Sequence, residues 1–333
     1  MAINVDNAFK EFMRNFVNLD PNIVQSARNS RDNLLDRIKA FDNKDNFFDL
    51  CEAFNLHFGS FSRKTKCREL DDIDLMIGIA ASGATYNSNN PWNDVTITAG
   101  YINPAQRSCQ NDDGSLNSTQ VLNRFKKELE KLPEYHNSEL KKNGEAITLY
   151  LKTKELGFDI VPCFHTVMES NERAYYLIPN GQGAWKKTDP TIEKTRISDV
   201  NKKHNGKVLD TIRLIKYWNK RGKMPTIASY LIETMVVDYF ERIDSTPDYI
   251  EQRFRNVLLY IRNNIFNIVN DSKGIEGNIN SLKTNERQRI YDRAGTDYNK
   301  ATDAINAECN EKNQHKAINI WRDILGDDFP TYG

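Results

Sequence analysis

Residues 71–79 read DDIDLMIGI, and their alternation decides how the chain folds. Ile73, Leu75, Ile77 and Ile79 fall on one parity, Asp72, Asp74 and Met76 on the other. A period of two is that of a strand, whose successive side chains point to opposite faces. The apolar face must be buried, so Asp72 and Asp74 project together from the other one, with Cα atoms about 6.6 Å apart. Two carboxylates that close repel each other unless a cation lies between them. Mg²⁺ suits the position, because it takes oxygen ligands from one or two carboxylates and completes its shell with substrate phosphate. A bare D-x-D is nevertheless common, and an exposed strand face accounts for one equally well.

The flanking residues favour the cation. Upstream, Gly59-Ser60 follows the short apolar segment LHF, and a Gly-Ser at a strand-to-helix turn can offer backbone N–H groups and a hydroxyl to a phosphate. Arg63, Lys64, Lys66 and Arg68 lie between that turn and the Asp pair. Downstream, Asp159 in GFDIVP alternates with Phe158 and Ile160, so it points away from the apolar side of a second strand. Three acids on adjacent strands beside a Gly-Ser turn match the needs of two-metal phosphoryl or nucleotidyl transfer.

Further outward, residues 4 to about 58 read as helical, with Phe9, Phe12, Met13 and Phe16 on one face and Pro21 opening a new helix. Residues 80–118 are rich in Ser, Asn, Gly and Pro and read as loop, with one short strand at VTITAGYI. Residues 119–132 return to helix, stopped by Pro133, and strands follow at 146–152, 157–164 and AYYLIPN. From about residue 200 the chain is nearly all helical, ending in one long polar helix from about 281 to 324. The fold class expected is α+β, a mixed sheet with flanking helices in a lobe of residues 1–200 and a helical lobe of residues 201–333.

At 333 residues, and roughly 150 per domain, two lobes are also what length predicts. Forty-six Lys+Arg balance forty-six Asp+Glu, which excludes a globally basic nucleic-acid coat and an acidic tail. Five cysteines with no C-x-x-C pair argue against a disulfide framework and a Cys-rich zinc site. Cys163 and His165 lie two apart, but no other Cys or His has ligand spacing to them. The first residues lack a secretory pattern and no apolar run reaches membrane-spanning length, so a cytoplasmic protein without membrane contact is expected.

Gly59-Ser60, Arg63-Lys64-Thr65, DIDLM at 72–76 and FDIVP at 158–162 together resemble the nucleotidyltransferase core of the polymerase β type. LIKYWNKR followed by SYLIE at 229–233 is similar to the branch holding oligoadenylate synthases, cyclic GMP-AMP synthase and the bacterial cGAS/DncV-like nucleotidyltransferases (CD-NTases). The resemblance implies a polymerase β-like core plus a helical C-terminal lobe with the nucleotide cleft between them. It implies chemistry in which a ribose hydroxyl attacks an α-phosphate and releases pyrophosphate, building cyclic or linear second messengers for anti-phage defence. It assigns both metals, two Mg²⁺ or Mn²⁺ ions, to Asp72 and Asp74, and the metal activating the hydroxyl to Asp159 as well. Gly59 and Ser60 would cradle the β/γ-phosphates, Lys216 and Ser229 would contact phosphate, and Tyr230 would stack on a base. Asp189 in WKKTDP would touch base or ribose, or else simply form an Asp-Pro turn.

On a helical wheel Arg213, Lys216 and Lys220 fall together at the border of the apolar face, as a phosphate stripe or as a snorkelling fringe. The partners expected are nucleoside triphosphates, ATP and GTP first, and an effector reached through the diffusible product. Neither nucleic acid nor a second subunit is required, so the expected state is a monomer. Two other readings stay open: nucleotidyl transfer to RNA, to a protein or to a linear oligoadenylate, and a catalytically silent nucleic-acid sensor.

Overall fold

Val5, Ala8, Phe9 and Phe12 recur at helical spacing, and the first helix, α1 (Val5–Phe12), buries all four. Asn4 opens it by accepting the backbone N–H of Asn7, one of the donors that a helix start leaves unpaired. A π-helical turn (Met13–Val17) and α2 (Pro21–Lys39) follow. The structure is a computed structural model that describes residues 1–42, 44, 46–221 and 224–333. Helix expected as far as residue 58 stops at Lys39 apart from a 3₁₀ turn at Glu52–Phe54, and residues 43 and 45 of that span lie outside the described residues.

Two units divide the chain. The first comprises Asn22–Arg63 and Leu70–Lys194. It is built on β1 (Leu56–Phe58), the short α3 (Gly59–Ser62), β2 (Asp72–Gly78), β3 (Thr85–Tyr86), β4 (Ile97–Thr98), α4 (Pro104–Arg107) and α5 (Ser118–Glu130). β5 (Glu139–Asn143), β6 (Ala146–Leu151), β7 (Leu156–His165), β8 (Tyr176–Pro179) and β9 (Trp185–Thr188) complete it. The strand order is β1-β2-β7-β6-β5, with β8 and β9 continuing from β7, and β3-β4 form a separate hairpin. β2 and β7 run parallel and the other pairs antiparallel, so the sheet is mixed.

Ile73, Leu75, Ile77, Phe158, Ile160, Ile147 and Leu149 are buried at the parity opposite the acids, while α5, which buries Val121, Leu122, Phe125 and Leu129, lies against β5–β8. Each such side chain contributes about 1.5–3 kcal/mol when fully buried, which is why this register of the strands is strongly preferred. The 80–118 loop is held by buried polar staples: Gln106 accepts the N–H of Gly100 and donates to the carbonyls of Ala80 and Ala81. Lys187 on β9 ties that loop through an ion pair to Glu169, which also accepts the Tyr86 hydroxyl.

The second unit comprises Met1–Pro21, Lys64–Glu69 and Thr195–Gly333. Its helices include most of α6 (Pro190–Lys203) and all of α7 (Lys207–Arg221), α8 (Ser229–Glu241), α9 (Ile250–Asn264), α10 (Thr284–Cys309) and α11 (Gln314–Leu325). The division differs from the expected split at residue 200, because residues 1–21 pack with the C-terminal helices. Phe9 meets Trp321 and Phe329 edge-on at 5.0 and 4.9 Å, and Phe12 meets Tyr217 at 4.9 Å. Periodicity showed that apolar face but not its partners, which lie about 200 to 320 residues away. Two further expectations are corrected. The nearly all-helical run is interrupted between Asn264, where α9 ends, and Thr284, and the long terminal helix is two, broken after Cys309 where Lys312 adopts φ +54°.

One buried acid makes this unit sensitive to pH. Glu251 on α9 is 5% exposed, and burial, with Glu308 and Asp6 nearby, pushes its carboxyl from an ordinary 4.5 up to about 7. Below the unfolded value both states are protonated and the residue costs nothing. As pH rises towards the folded value the unfolded chain ionises first, so stability falls, and above it the full cost is on the order of 3 kcal/mol. Glu251→Gln is therefore expected to raise the melting temperature at pH 8 and to flatten its fall between pH 5 and 7. Thermal melts across that range check it, and a lower melting temperature for the variant at pH 8 would refute it.

Candidate active site

The acids converge because β2 and β7 pair in parallel with Asp74 opposite Asp159 and Asp72 opposite Gly157. Neighbouring strands lie about 4.8 Å apart, so the Asp74 and Asp159 carboxylates leave the same face side by side. All three acids are only half-buried, while the residues between them, Ile73 and Phe158 among them, are fully buried on the opposite face. On the far side of Asp159, β6 places Thr148 in register, and its hydroxyl donates to Asp159 Oδ1 at 2.6 Å. Thr148 was not singled out in the sequence, although the alternation of AITLYL puts it on the polar face.

Gly59 closes the row from the other side. Phe58 on β1 pairs with Asp74, and the chain turns at Gly59 with φ +69° into α3. A Cβ at Gly59 would stand 1.6 Å from Asp74 Oδ2, so the backbone approaches this carboxylate more closely than any other residue type permits. The turn is braced by Ser62, whose hydroxyl donates to the carbonyl of His57 at 2.7 Å. Ser60 is the next residue of the same turn and is half-buried. Burial and the nearby Arg31 guanidinium lower the His57 pKa, which favours a neutral imidazole beside the turn. Of the basic run, Arg63 forms a largely buried ion pair with Glu193 at 2.9 Å.

Beyond the acids the same face becomes apolar, with Met76, Ala146, Val161, Cys163 and Ile178 clustered beside Leu56, Phe58 and Tyr176. Cys163 is fully buried there and burial pushes its thiol well up, while His165 stacks on Phe54 at 4.7 Å. Asp189 follows β9 and accepts the Thr191 N–H at 3.2 Å as well as the Thr191 hydroxyl, capping the start of α6. This is the turn role that its Asp-Pro context allows.

The remaining candidates belong to the helical unit. Lys216 on α7 is 5% exposed and its ammonium pairs with the fully buried carboxylate of Glu233 on α8. Arg213 bonds Asp210, the side chain of Asn18 and the carbonyl of Lys64, while Lys220 is exposed, so the three cations have different surroundings. Ser229 is the exposed first residue of α8. The hydroxyl of Tyr230 donates to Asp271 Oδ1 at 2.7 Å, and the ammonium of Lys273 stands 4.5 Å from its ring centroid. Asp271 and Lys273 lie in a stretch between α9 and α10 that carries no motif and falls within the span that reads as nearly all helical.

Several known proteins are similar to this chain. Residues 103–201 match the Second Messenger Oligonucleotide or Dinucleotide Synthetase (SMODS) domain family, a span that includes Asp159 and Asp189. A probable cyclic nucleotide synthase of Bacillus cereus (strain VD146) is 38% identical over 335 residues, covering 100% of this chain and 99% of that protein. Among solved structures, Escherichia coli MS115-1 CdnC with ATP has a TM-score of 0.69 at 16% identity, covering 98% of this chain and 99% of that one. The Vibrio cholerae cyclic AMP-GMP synthase DncV, a prokaryotic cGAS homolog, has a TM-score of 0.60 at 12% identity, covering 83% of this chain and 69% of that one. These two show the fold, and the full-length identity to the Bacillus protein shows descent. The chain belongs to the bacterial cGAS/DncV-like nucleotidyltransferases (CD-NTases), enzymes that synthesise cyclic oligonucleotides.

Proposed function

We propose that the enzyme is metal-dependent and template-independent, and that it condenses purine nucleoside triphosphates, ATP and GTP first, into a cyclic di- or trinucleotide messenger for anti-phage signalling. The observation that carries this reading is the row Gly59–Asp74–Asp159–Thr148, which sets two carboxylates side by side next to a backbone turn that only glycine can make. ATP in the CdnC structure and the cyclic AMP-GMP product named for DncV support the choice of purines. The product would act on a separately encoded effector from the cytoplasm, with the enzyme a monomer that needs no nucleic acid. Among the described residues no helix is long and apolar enough to cross a membrane.

The donors fit a hard divalent cation. Among the described residues no three His, Cys, Asp or Glu side chains gather closely enough to hold a metal ion by themselves, so water and substrate phosphate would have to complete the shell, as Mg²⁺ allows beyond its one or two carboxylates. Asp72, Asp74 and Asp159 would hold the two ions, which supply charge neutralisation at the entering and leaving oxygens. Asp159, its carboxylate oriented by Thr148, would take the proton of the attacking ribose hydroxyl. Gly59 and Ser60 would offer their backbone and hydroxyl to the β/γ-phosphates, and Lys216 and Ser229 would each contact phosphate. Tyr230 would stack on a base, and Asp189 would contact base or ribose. The new bond joins ribose oxygen to the α-phosphorus as the bond to pyrophosphate breaks.

Incubating the purified chain with Mg²⁺ or Mn²⁺ and α-labelled triphosphates is the direct test. A phosphatase-resistant product that disappears with EDTA is expected. No product from any triphosphate mixture, or undiminished product in EDTA, would overturn the proposal. A phosphatase-sensitive ladder would instead indicate linear transfer.

A further inference from the structure

The turn after α9 is organised around one buried carboxylate. Asp271 is 5% exposed, and its Oδ1 accepts the Tyr230 hydroxyl at 2.7 Å and the N–H of Lys273 at 3.1 Å. Its Oδ2 accepts the N–H groups of Ile275 and Glu276 at 3.1 and 3.0 Å. Burial alone would push this carboxyl up, but the bonds from Tyr230, Glu276 and Lys273 outweigh it and hold Asp271 below the usual carboxylate value. Ser272 Oγ lies 2.9 Å from the same tyrosine oxygen, and Lys273, itself 6% exposed, bridges Asp271 and Glu276 with its ammonium over the Tyr230 ring.

These contacts do more than close a turn. The three backbone N–H groups bonded to this carboxylate would satisfy the loop without Tyr230, and a tyrosine on a helix would satisfy its hydroxyl in water. Bringing the two together fixes the ring at both its hydroxyl end and one face, so the side-chain freedom that an aromatic platform must give up on binding is lost before the ligand arrives. Tyr230 follows Ser229 on α8, one helical turn from Glu233, which holds Lys216. The turn is therefore connected to the helix carrying the proposed nucleotide contacts.

We propose that Asp271 is a positioning residue for nucleotide binding, which together with Lys273 preorganises the Tyr230 ring as the platform for a purine base. The inference rests on the reading of Tyr230 as the base-stacking residue, and the variants separate the two. Asp271→Asn and Tyr230→Phe in the full-length enzyme are each expected to raise the triphosphate KM roughly tenfold with kcat at saturation within about twofold, since only preorganisation is lost. Because both remove one shared interaction, the double variant is expected to be no worse than the weaker single one. Tyr230→Leu, which removes the platform, is expected to raise KM at least as much. Thermal melts accompany each variant, and a melting temperature lowered with KM unchanged in both Asp271→Asn and Tyr230→Phe would overturn the proposal as a purely structural contact. Tyr230→Leu with unaltered KM would overturn the stacking reading, and the proposal with it. Tyr230→Leu raising KM while Tyr230→Phe and Asp271→Asn leave it unmoved would overturn the positioning role alone.

Discussion

Asp74→Asn is expected to lower product formation at saturating triphosphate by roughly 10³-fold or more, a loss of about 4 kcal/mol of transition-state stabilisation, with little change in melting temperature. The substitution keeps the shape of the side chain and removes its charge. Asp74 stands opposite Asp159 across the parallel pair and under the Gly59 turn, so folding holds two like charges together in a half-buried row. Relieving that repulsion should leave stability level or slightly improved, which separates a functional charge from a structural one. Asp159→Asn extends the argument, because the amide oxygen can still accept the Thr148 hydroxyl and hold the strand pair as it is. Both variants should melt like the wild type and make almost no product. Full turnover in either would remove the acids from the mechanism and with them the two-ion reading.

Gly59→Ala is expected to abolish product formation to a similar extent, for a steric reason. The methyl group would be placed 1.6 Å from Asp74 Oδ2, so either the turn or the carboxylate must move. The position also holds φ +69°, where an L side chain costs about 1–2 kcal/mol. Backbone strain and overlap can be told apart with Gly144 in the β5–β6 turn, which has φ +55° but nothing within 4 Å of its missing Cβ. Gly144→Ala should lose stability and keep activity, whereas Gly59→Ala should lose stability and activity together. Turnover and melting temperature measured for both decide it. A Gly59→Ala enzyme within about twofold of wild-type turnover would show that the close approach to Asp74 is not needed.

How much of this was legible in the sequence depends on how local the cause is. The β2 strand, its acid face, the turn at Gly59-Ser60 and helix α5 were readable because each rests on a period or a turn chemistry confined to about ten residues. In the 80–118 segment the strand at VTITAGYI was readable and contains β4, but β3, the end of α9 and the break at 310–313 were not; buried Gln106, bound to the carbonyls of Ala80 and Ala81, and buried Asp271, bound to Tyr230, tie the first two to groups that no local pattern announces. Glu233 is a related case. It stands in plain view in SYLIE, yet its pairing with Lys216 depends on α7 lying against α8, and nothing in either segment states that.

From the sequence by itself came the residue types and the faces they occupy: acids on the polar parity of two strands, a glycine at a turn, an apolar stripe on α1. Side-chain periodicity is a property of the backbone and survives without any partner. Tertiary structure decided which residues meet. It set Asp74 beside Asp159, Thr148 beyond it and Gly59 over it. It also grouped residues 1–21 with the C-terminal helices and bound Tyr230 to Asp271. Such meetings follow from the summed burial of many side chains, for which register and packing are the solution, and no single segment carries enough of that sum to announce its partner.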